Sequence, residues 1–397
     1  MFGFRSGLFV VGGLVIGWAG LSIYQYAFDA TDPIVTLSGL EQDGWYCADV
    51  PCSVAVNKTG DLSVWLDGQP LINKYRLSKR AHEHPFAVPT KTIGNGRHTL
   101  RVELVDSTYA KNKVSLERQF NVDNLPLQAA FVKADSDFKV FQGRTLHLQL
   151  QVNKEVNDVQ VQALSKTYSC FPESKNSSIY ESFIPVECEE VPNEYLLSIN
   201  ITDKVGNTLN LENKFQIVAF PFKKHVLHVS SDKVQQEKEL GHDPKELKEI
   251  LEQLAKNSPQ EKLWRGAFCD PIDIARVTCE FGTVRTTQER GRYQHKAVDV
   301  INQPRSVVWS TQDGVVVLKD RYASSGNTIV VDHGFGILSM FFHLENFADI
   351  KVGDKIAQGN PVGTLGKTGY ATGYHLHWEM RVNNIAVDPL QWTKSTF

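Results

Sequence analysis

Gly369-Tyr370-Ala371-Thr372-Gly373-Tyr374-His375-Leu376-His377-Trp378-Glu379-Met380 holds the densest chemistry of this chain. Two histidines one residue apart, followed by alternating large and polar positions, predict a strand that presents both imidazoles on one face, because side-chain direction repeats every two residues. Paired imidazoles on one face make part of a metal site, so the other ligands have to come from elsewhere in the fold.

Two upstream clusters offer them. His295-Lys296-Ala297-Val298-Asp299 places an imidazole and a carboxylate four residues apart, on the same side of an extended segment. Phe341-Phe342-His343-Leu344 closes the apolar run from Gly336 to Phe342 with one more imidazole. Five of the twelve histidines fall between His295 and His377, and four of those five lie in these three clusters. A zinc ion held by two imidazoles and one carboxylate keeps a fourth position for water, the arrangement of catalytic rather than structural zinc.

The 397 residues exceed one ordinary domain, so two or three are expected. A net charge of -3 and ordinary apolar content argue against disorder and against nucleic-acid binding. Residues 1–28 read as a cytoplasmic tip and a transmembrane anchor. Gly7 to Ala27 is uncharged, with Arg5 before it and Asp29 and Asp32 after it. About twenty such residues cross a bilayer as a helix, and the basic amino-terminal flank orients the remainder outward. A cleaved signal peptide is the rival, less favoured because the apolar run is long and no small-x-small site follows it. The cysteines fall in sequence-local pairs, Cys47 with Cys52, Cys170 with Cys188 and Cys269 with Cys279. Even number, close spacing and an export segment predict disulfides; zinc ligation and free thiols are the alternatives.

The expected architecture is mainly β. Short alternating runs such as Leu62-Ser63-Val64-Trp65-Leu66 and Leu100-Arg101-Val102-Glu103-Leu104, separated by turns at Asp67-Gly68 and Gly94-Asn95-Gly96, predict a β-sandwich over residues 29–124. The pattern recurs over 125–220, with Leu146 to Val152 and Tyr195 to Ile201 as its clearest strands. Both halves resemble bacterial immunoglobulin-like domains, which implies a spacer or a module that binds the wall or a protein partner; the spacer is favoured. Residues 221–263 form a connector. Within it Asp243-Pro244-Lys245-Glu246 gives an N-cap, a first-turn proline and a capping-box glutamate, and Leu247, Ile250, Leu251 and Leu254 predict an amphipathic helix over 244–256. The helix is expected to pack on a neighbouring domain, and covering the catalytic cleft is the other option. Residues 264–397 read as an antiparallel β domain of short strands and glycine turns.

The clusters and their surroundings resemble the lysostaphin-type (LytM-like) zinc endopeptidases of peptidoglycan, from about Cys279 to Trp392. The ordered matches include Phe281-Gly282-Thr283-Val284-Arg285, His295-x-x-x-Asp299, Asp313-Gly314-Val315-Val316, Phe342-His343-Leu344, Gly366-Lys367-Thr368-Gly369, Gly373-Tyr374-His375-Leu376-His377 and Val387-Asp388-Pro389. The resemblance implies His295, Asp299 and His377 as ligands of one zinc ion. It makes His343 and His375 catalytic imidazoles that share proton transfer and oxyanion stabilisation. Where the family has glycine at the centre of the first motif this chain has Ala297, so the backbone there has to avoid a glycine-only conformation.

Trp378, Tyr374 and Phe342 read as packing or groove walls. His82, His84, His225 and His228 read as solvated, and His333 as a structural turn residue. The sequons at Asn57, Asn176 and Asn200 have no meaning for a bacterial wall enzyme. The expectation is therefore a single-pass inner-membrane zinc endopeptidase with its bulk in the periplasm and peptidoglycan as partner. A non-catalytic wall-binding or hydrolase-activating regulator of the same fold, or a zinc peptidase acting on a protein, are the alternatives.

Overall fold

The structure is a computed structural model that describes residues 31–77, 83–132, 138–226, 243–287 and 291–395. The apolar segment Gly7 to Ala27, His82, His228 and the connector residues 227–242 lie outside the described residues. No helix among the described residues is long and apolar enough to cross a membrane. The chain divides into two compact units, one reaching to Pro126 and including Lys204–Asn207, the other holding Leu127–Asp203 and Thr208–Phe397.

In the first unit a three-stranded sheet, Val35–Ser38, Val50–Val56 and Glu83–Val88, and a five-stranded sheet share one core. Leu62 and Val64 of one strand, Leu100, Val102 and Leu104 of its neighbour, and Phe120 fill that core. Every second residue points inward, which is why these sequences alternate.

The second unit begins with another sandwich, whose core takes Leu146, Leu148 and Leu150 from the strand Thr145–Val152 and Tyr180 and Ile184 from Ile179–Pro185. This sandwich packs against the C-terminal domain. The strand Ile179–Pro185 is buried from Tyr180 onward on both faces, a pattern that arises only when a sheet is covered on each side. Its outward residues Glu181 and Phe183 meet the C-terminal domain. The Phe183 ring lies 5.6 Å from that of Trp264 and 5.5 Å from that of Trp392, and stacks on His147 at 4.9 Å. Around this aromatic cluster, Arg144 pairs with Asp388 at 2.6 Å, and Thr145 and Gln391 exchange two hydrogen bonds. Asp388 also caps the short helix Pro389–Lys394.

Glu181 is fully buried and takes hydrogen bonds from His147 Nε2 at 2.9 Å and Lys262 Nζ at 2.7 Å. Burial alone would raise its pKa, but these two partners lower it below the usual glutamate value. A depressed folded-state pKa stabilises the fold above the unfolded value of about 4.3 and loses that stabilisation as pH falls through the folded value. Wild type should therefore lose denaturant resistance below about pH 4 more steeply than Glu181→Gln. Equal pH slopes for the two proteins in urea titrations from pH 7 down to 3 would show that Glu181 has no such linkage.

The C-terminal domain is built on an eight-stranded sheet. Its antiparallel centre runs Arg276–Cys279, Val298–Ile301, Leu376–Val382, Ile337–Leu344, Gly326–Asp332 and Gly314–Tyr322. One face carries Ile329, Val331, Phe341, Leu376 and Trp378 in a core. The helix Asp243–Lys256 lies on the other face, setting Leu247 and Leu251 against Leu338, Met340 and Phe342.

The six cysteines are free thiols, which corrects the expected disulfides. Nearness in sequence did not place the partners in one core. Cys170 belongs to the second sandwich, whereas Cys188 packs in the core of the C-terminal domain. Cys52 is buried in the first sandwich and Cys47 is half-buried. Cys269 Sγ lies 3.6 Å from the Ser310 carbonyl, while Cys279 sits opposite Asp299 on the neighbouring strand.

Candidate active site

Strand register assembles the site. Asp299 and His377 are direct cross-strand partners between Val298–Ile301 and Leu376–Val382, and Phe342 is the partner of His377 on its other side. Directly opposed residues have side chains on the same face within contact distance. Asp299 Oδ1 thus lies 3.0 Å from His377 Nδ1, and His295 Nε2 reaches the same oxygen at 3.0 Å from the segment entering the strand. The Phe342 ring stacks on His377 at 5.1 Å, with the planes within 4° of parallel. Ala297 is fully buried and keeps a φ outside the left-handed region, so glycine is not required there.

His375 sits one residue before its strand, with Nε2 4.0 Å from Asp299 Oδ1. His343 follows Phe342 and would face the opposite side of a regular strand. A left-handed φ of 62° turns it back, so that its ring lies 4.8 Å from His375 and 5.9 Å from His377. Such a conformation in a non-glycine residue costs on the order of 1–3 kcal/mol and persists where the surroundings enforce it. Here the enforcement is visible: the His343 amide donates to Ser325 O at 2.8 Å and its Nδ1 lies 2.9 Å from Thr368 O. Thr368 reaches that position because Gly369 and Gly326 touch backbone to backbone; a Cβ on Gly369 would fall 2.3 Å from Gly326 N. His375 Nδ1 likewise lies 3.0 Å from the Gly373 carbonyl. A carbonyl accepts only from N–H, so both rings carry their proton on Nδ1 and present Nε2 to the site.

Burial opposes ionisation of Asp299, yet the two imidazoles beside it hold its carboxyl well below the usual range. Burial pushes His295 down to about 4 and, together with the neighbouring rings of His377 and His375, His343 down to about 3.

The donor set fits a zinc ion. His295 Nε2 is buried and, despite its 3.0 Å approach to Asp299, has no aligned hydrogen-bond partner. An orphaned ring nitrogen converging with a second imidazole and a carboxylate oxygen is what an ion would satisfy. Cys279 forms a second grouping with His295 and Asp299, one donor atom from each lying within 4.8 Å of the others.

Two contacts escaped the sequence reading. Arg285 Nη2 holds Asp299 Oδ2 at 3.0 Å, leaving Oδ1 to the imidazoles, and Glu379 Oε2 lies 3.8 Å from His377 Nε2. Both residues stand within recognisable motifs, but their pairing depends on register across strands. Groups that orient ligands typically contribute about 10–100-fold to metal affinity. Arg285→Met should lower zinc affinity by roughly that factor in chelator competition, with partial recovery in Arg285→Lys. An unchanged affinity would remove Arg285 from the ligand-orienting set. His333 is a satisfied core residue, bonded to Asp313 O at 2.7 Å and Ser339 Oγ at 2.9 Å.

Comparison with known proteins gives partial matches. Peptidoglycan DD-endopeptidase ShyC of Vibrio cholerae is 32% identical over 120 residues, 30% of this chain and 28% of that protein. DD-carboxypeptidase/endopeptidase Mpg of Neisseria meningitidis serogroup B is 28% identical over 127 residues, 32% of this chain and 29% of that protein. The chain thus spans under a third of the length of the curated relatives it matches. The solved catalytic domain of lysostaphin from Staphylococcus simulans is 26% identical, covering 36% of this chain and 97% of that one, with a TM-score of 0.25. Residues 293–389 match the model of peptidase family M23, and the chain therefore carries an M23 peptidase domain at its carboxyl end.

Proposed function

We propose that this chain is a zinc metallo-endopeptidase that hydrolyses peptide bonds in the stem peptides or cross-links of peptidoglycan. The observation that carries this reading is the convergence of His295 Nε2 and His377 Nδ1 on Asp299 Oδ1 at 3.0 Å each, beside two imidazoles whose Nε2 atoms are uncommitted. The substrate class follows from the relatives, named as peptidoglycan endopeptidases.

His295, Asp299 and His377 hold the ion. When bound, zinc polarises the scissile carbonyl and lowers the pKa of water. His343 and His375, each fixed by a backbone carbonyl at Nδ1, divide two tasks at Nε2: one takes the proton from the attacking water, the other donates to the oxyanion. Phe342 limits rotation of His377 by stacking on it. Arg285 keeps Asp299 turned toward the imidazoles. The presence of all five side chains favours an enzyme over a non-catalytic regulator of the same fold.

Gly7 to Ala27 is proposed as a single-pass inner-membrane anchor, with the bulk of the chain in the periplasm. The deciding experiment incubates the exported region, Asp29 to Phe397, with purified sacculi, with and without a chelator. Zinc-dependent release of peptide-cleaved fragments supports the proposal. A protein that binds zinc and releases nothing from sacculi would sink the substrate assignment.

A further inference from the structure

A cleft of about 750 Å³ lies where the second sandwich, the segment leaving it and the C-terminal domain meet. Arg292, Tyr293 and Gln294 on the strand Gly291–Gln294 line it together with Lys224 of the same three-stranded sheet and with Phe220 and Phe222 on the segment that leads into that sheet. Phe220, Phe222, Lys224 and Arg292 fall outside residues 293–389, the stretch that matches the family model.

The cleft is built rather than incidental. Lys224–Val226 pairs in parallel with Val284–Thr286, hydrogen-bonding the wall to the hairpin that leads into the site. Phe222 rests on Gly282, where a Cβ would come within 2.1 Å of its ring, so only glycine admits this seat. The Phe220 and Phe222 rings lie 5.0 Å apart, with the Arg144 guanidinium 5.2 Å from the centre of Phe220. Gln142 locks the base through bonds to Glu190 O and from Phe220 N.

Lys224 and Arg292 are exposed, and no ion pair among the described residues engages either. Glu189, the acid on the lining, is already paired with Lys296 at 3.2 Å, so the cleft has an excess of positive charge. Gln294, which lines the cleft, has its Oε1 buried without a hydrogen-bond partner. One residue later, a Cα step of about 3.8 Å, the chain reaches His295.

We propose that this cleft is an accessory subsite for an anionic peptide. Carboxylates of the occupant pair with Lys224 and Arg292, and aliphatic side chains lie on Phe220, Phe222 and Tyr293. Naming the occupant as a peptidoglycan stem peptide rests on the function proposed above. The second sandwich then contributes to substrate selection.

The test measures binding rather than turnover. Full-length protein in chelator is titrated with a fluorescent Ala-γ-D-Glu-diaminopimelate-D-Ala peptide, the same peptide with its carboxyls amidated, and unlabelled chitotetraose as competitor. The acidic peptide should bind, weaken with added salt, and lose at least about tenfold in affinity in the Lys224→Glu/Arg292→Glu double variant. The amidated peptide should bind weakly and chitotetraose should not compete. Equal affinity in wild type and double variant overturns the subsite, as does competition by the glycan with no peptide binding. Sacculus hydrolysis without this binding would leave the enzyme assignment standing and remove the subsite; charge-dependent binding without hydrolysis would do the reverse.

Discussion

His377→Ala is expected to abolish both metal binding and sacculus hydrolysis, a loss well beyond the roughly 10–100-fold that outer-shell changes cause. His377 Nδ1 and His295 Nε2 each lie 3.0 Å from Asp299 Oδ1, and deleting either ring leaves two donors of this set, too few to hold an ion against solvent. The measurements are zinc content by mass spectrometry of the folded protein and fragment release from sacculi. Cys279 sharpens the outcome, because it forms an alternative grouping with His295 and Asp299. If His377 is the third ligand, Cys279→Ser keeps its zinc and His377→Ala does not. The opposite pattern would move the third ligand to the thiol and leave His377 as a site imidazole.

Phe183→Ala should be strongly destabilising, at about 3–5 kcal/mol. The ring is almost fully buried, stacked on His147 and packed against Trp264 and Trp392, so its removal opens a cavity lined by rigid aromatic surfaces that cannot collapse. Because it joins the second sandwich to the C-terminal domain, the loss should appear in the urea transition of both parts together. Leu196→Ala, at an exposed position, serves as the control and should stay within about 0.5 kcal/mol of wild type. A separate early transition of the sandwich alone would mean that the two do not unfold as one unit.

Much of this was legible in the residues. The alternation of Leu62 to Leu66, Leu100 to Leu104 and Leu146 to Leu150 is the period of a half-buried strand, and the structure places those residues inward. The helix over Asp243–Lys256 follows from its leucine spacing. The disulfide expectation failed because spacing reports only distance along the chain. Cys170 and Cys188 are eighteen positions apart yet belong to different cores. The packing of the second sandwich on the C-terminal domain was not legible at Ile179-Tyr180-Glu181-Ser182-Phe183-Ile184-Pro185. There the glutamate suggests a solvated face, and burial is possible only because His147 and Lys262, distant in sequence, neutralise it.

By itself the sequence determined the strand periodicity, the chemistry of the candidate site and the family resemblance, because each depends on residue types at fixed short spacings. The tertiary structure alone decided the rest. Strand register sets Asp299 opposite His377, a left-handed turn brings His343 round to join them, and Arg285 takes the far oxygen of Asp299. It also covered the outer face of the second sandwich with the C-terminal domain and left a positively charged cleft at their junction. These features are relations between segments far apart in the chain, and only packing brings such segments into contact.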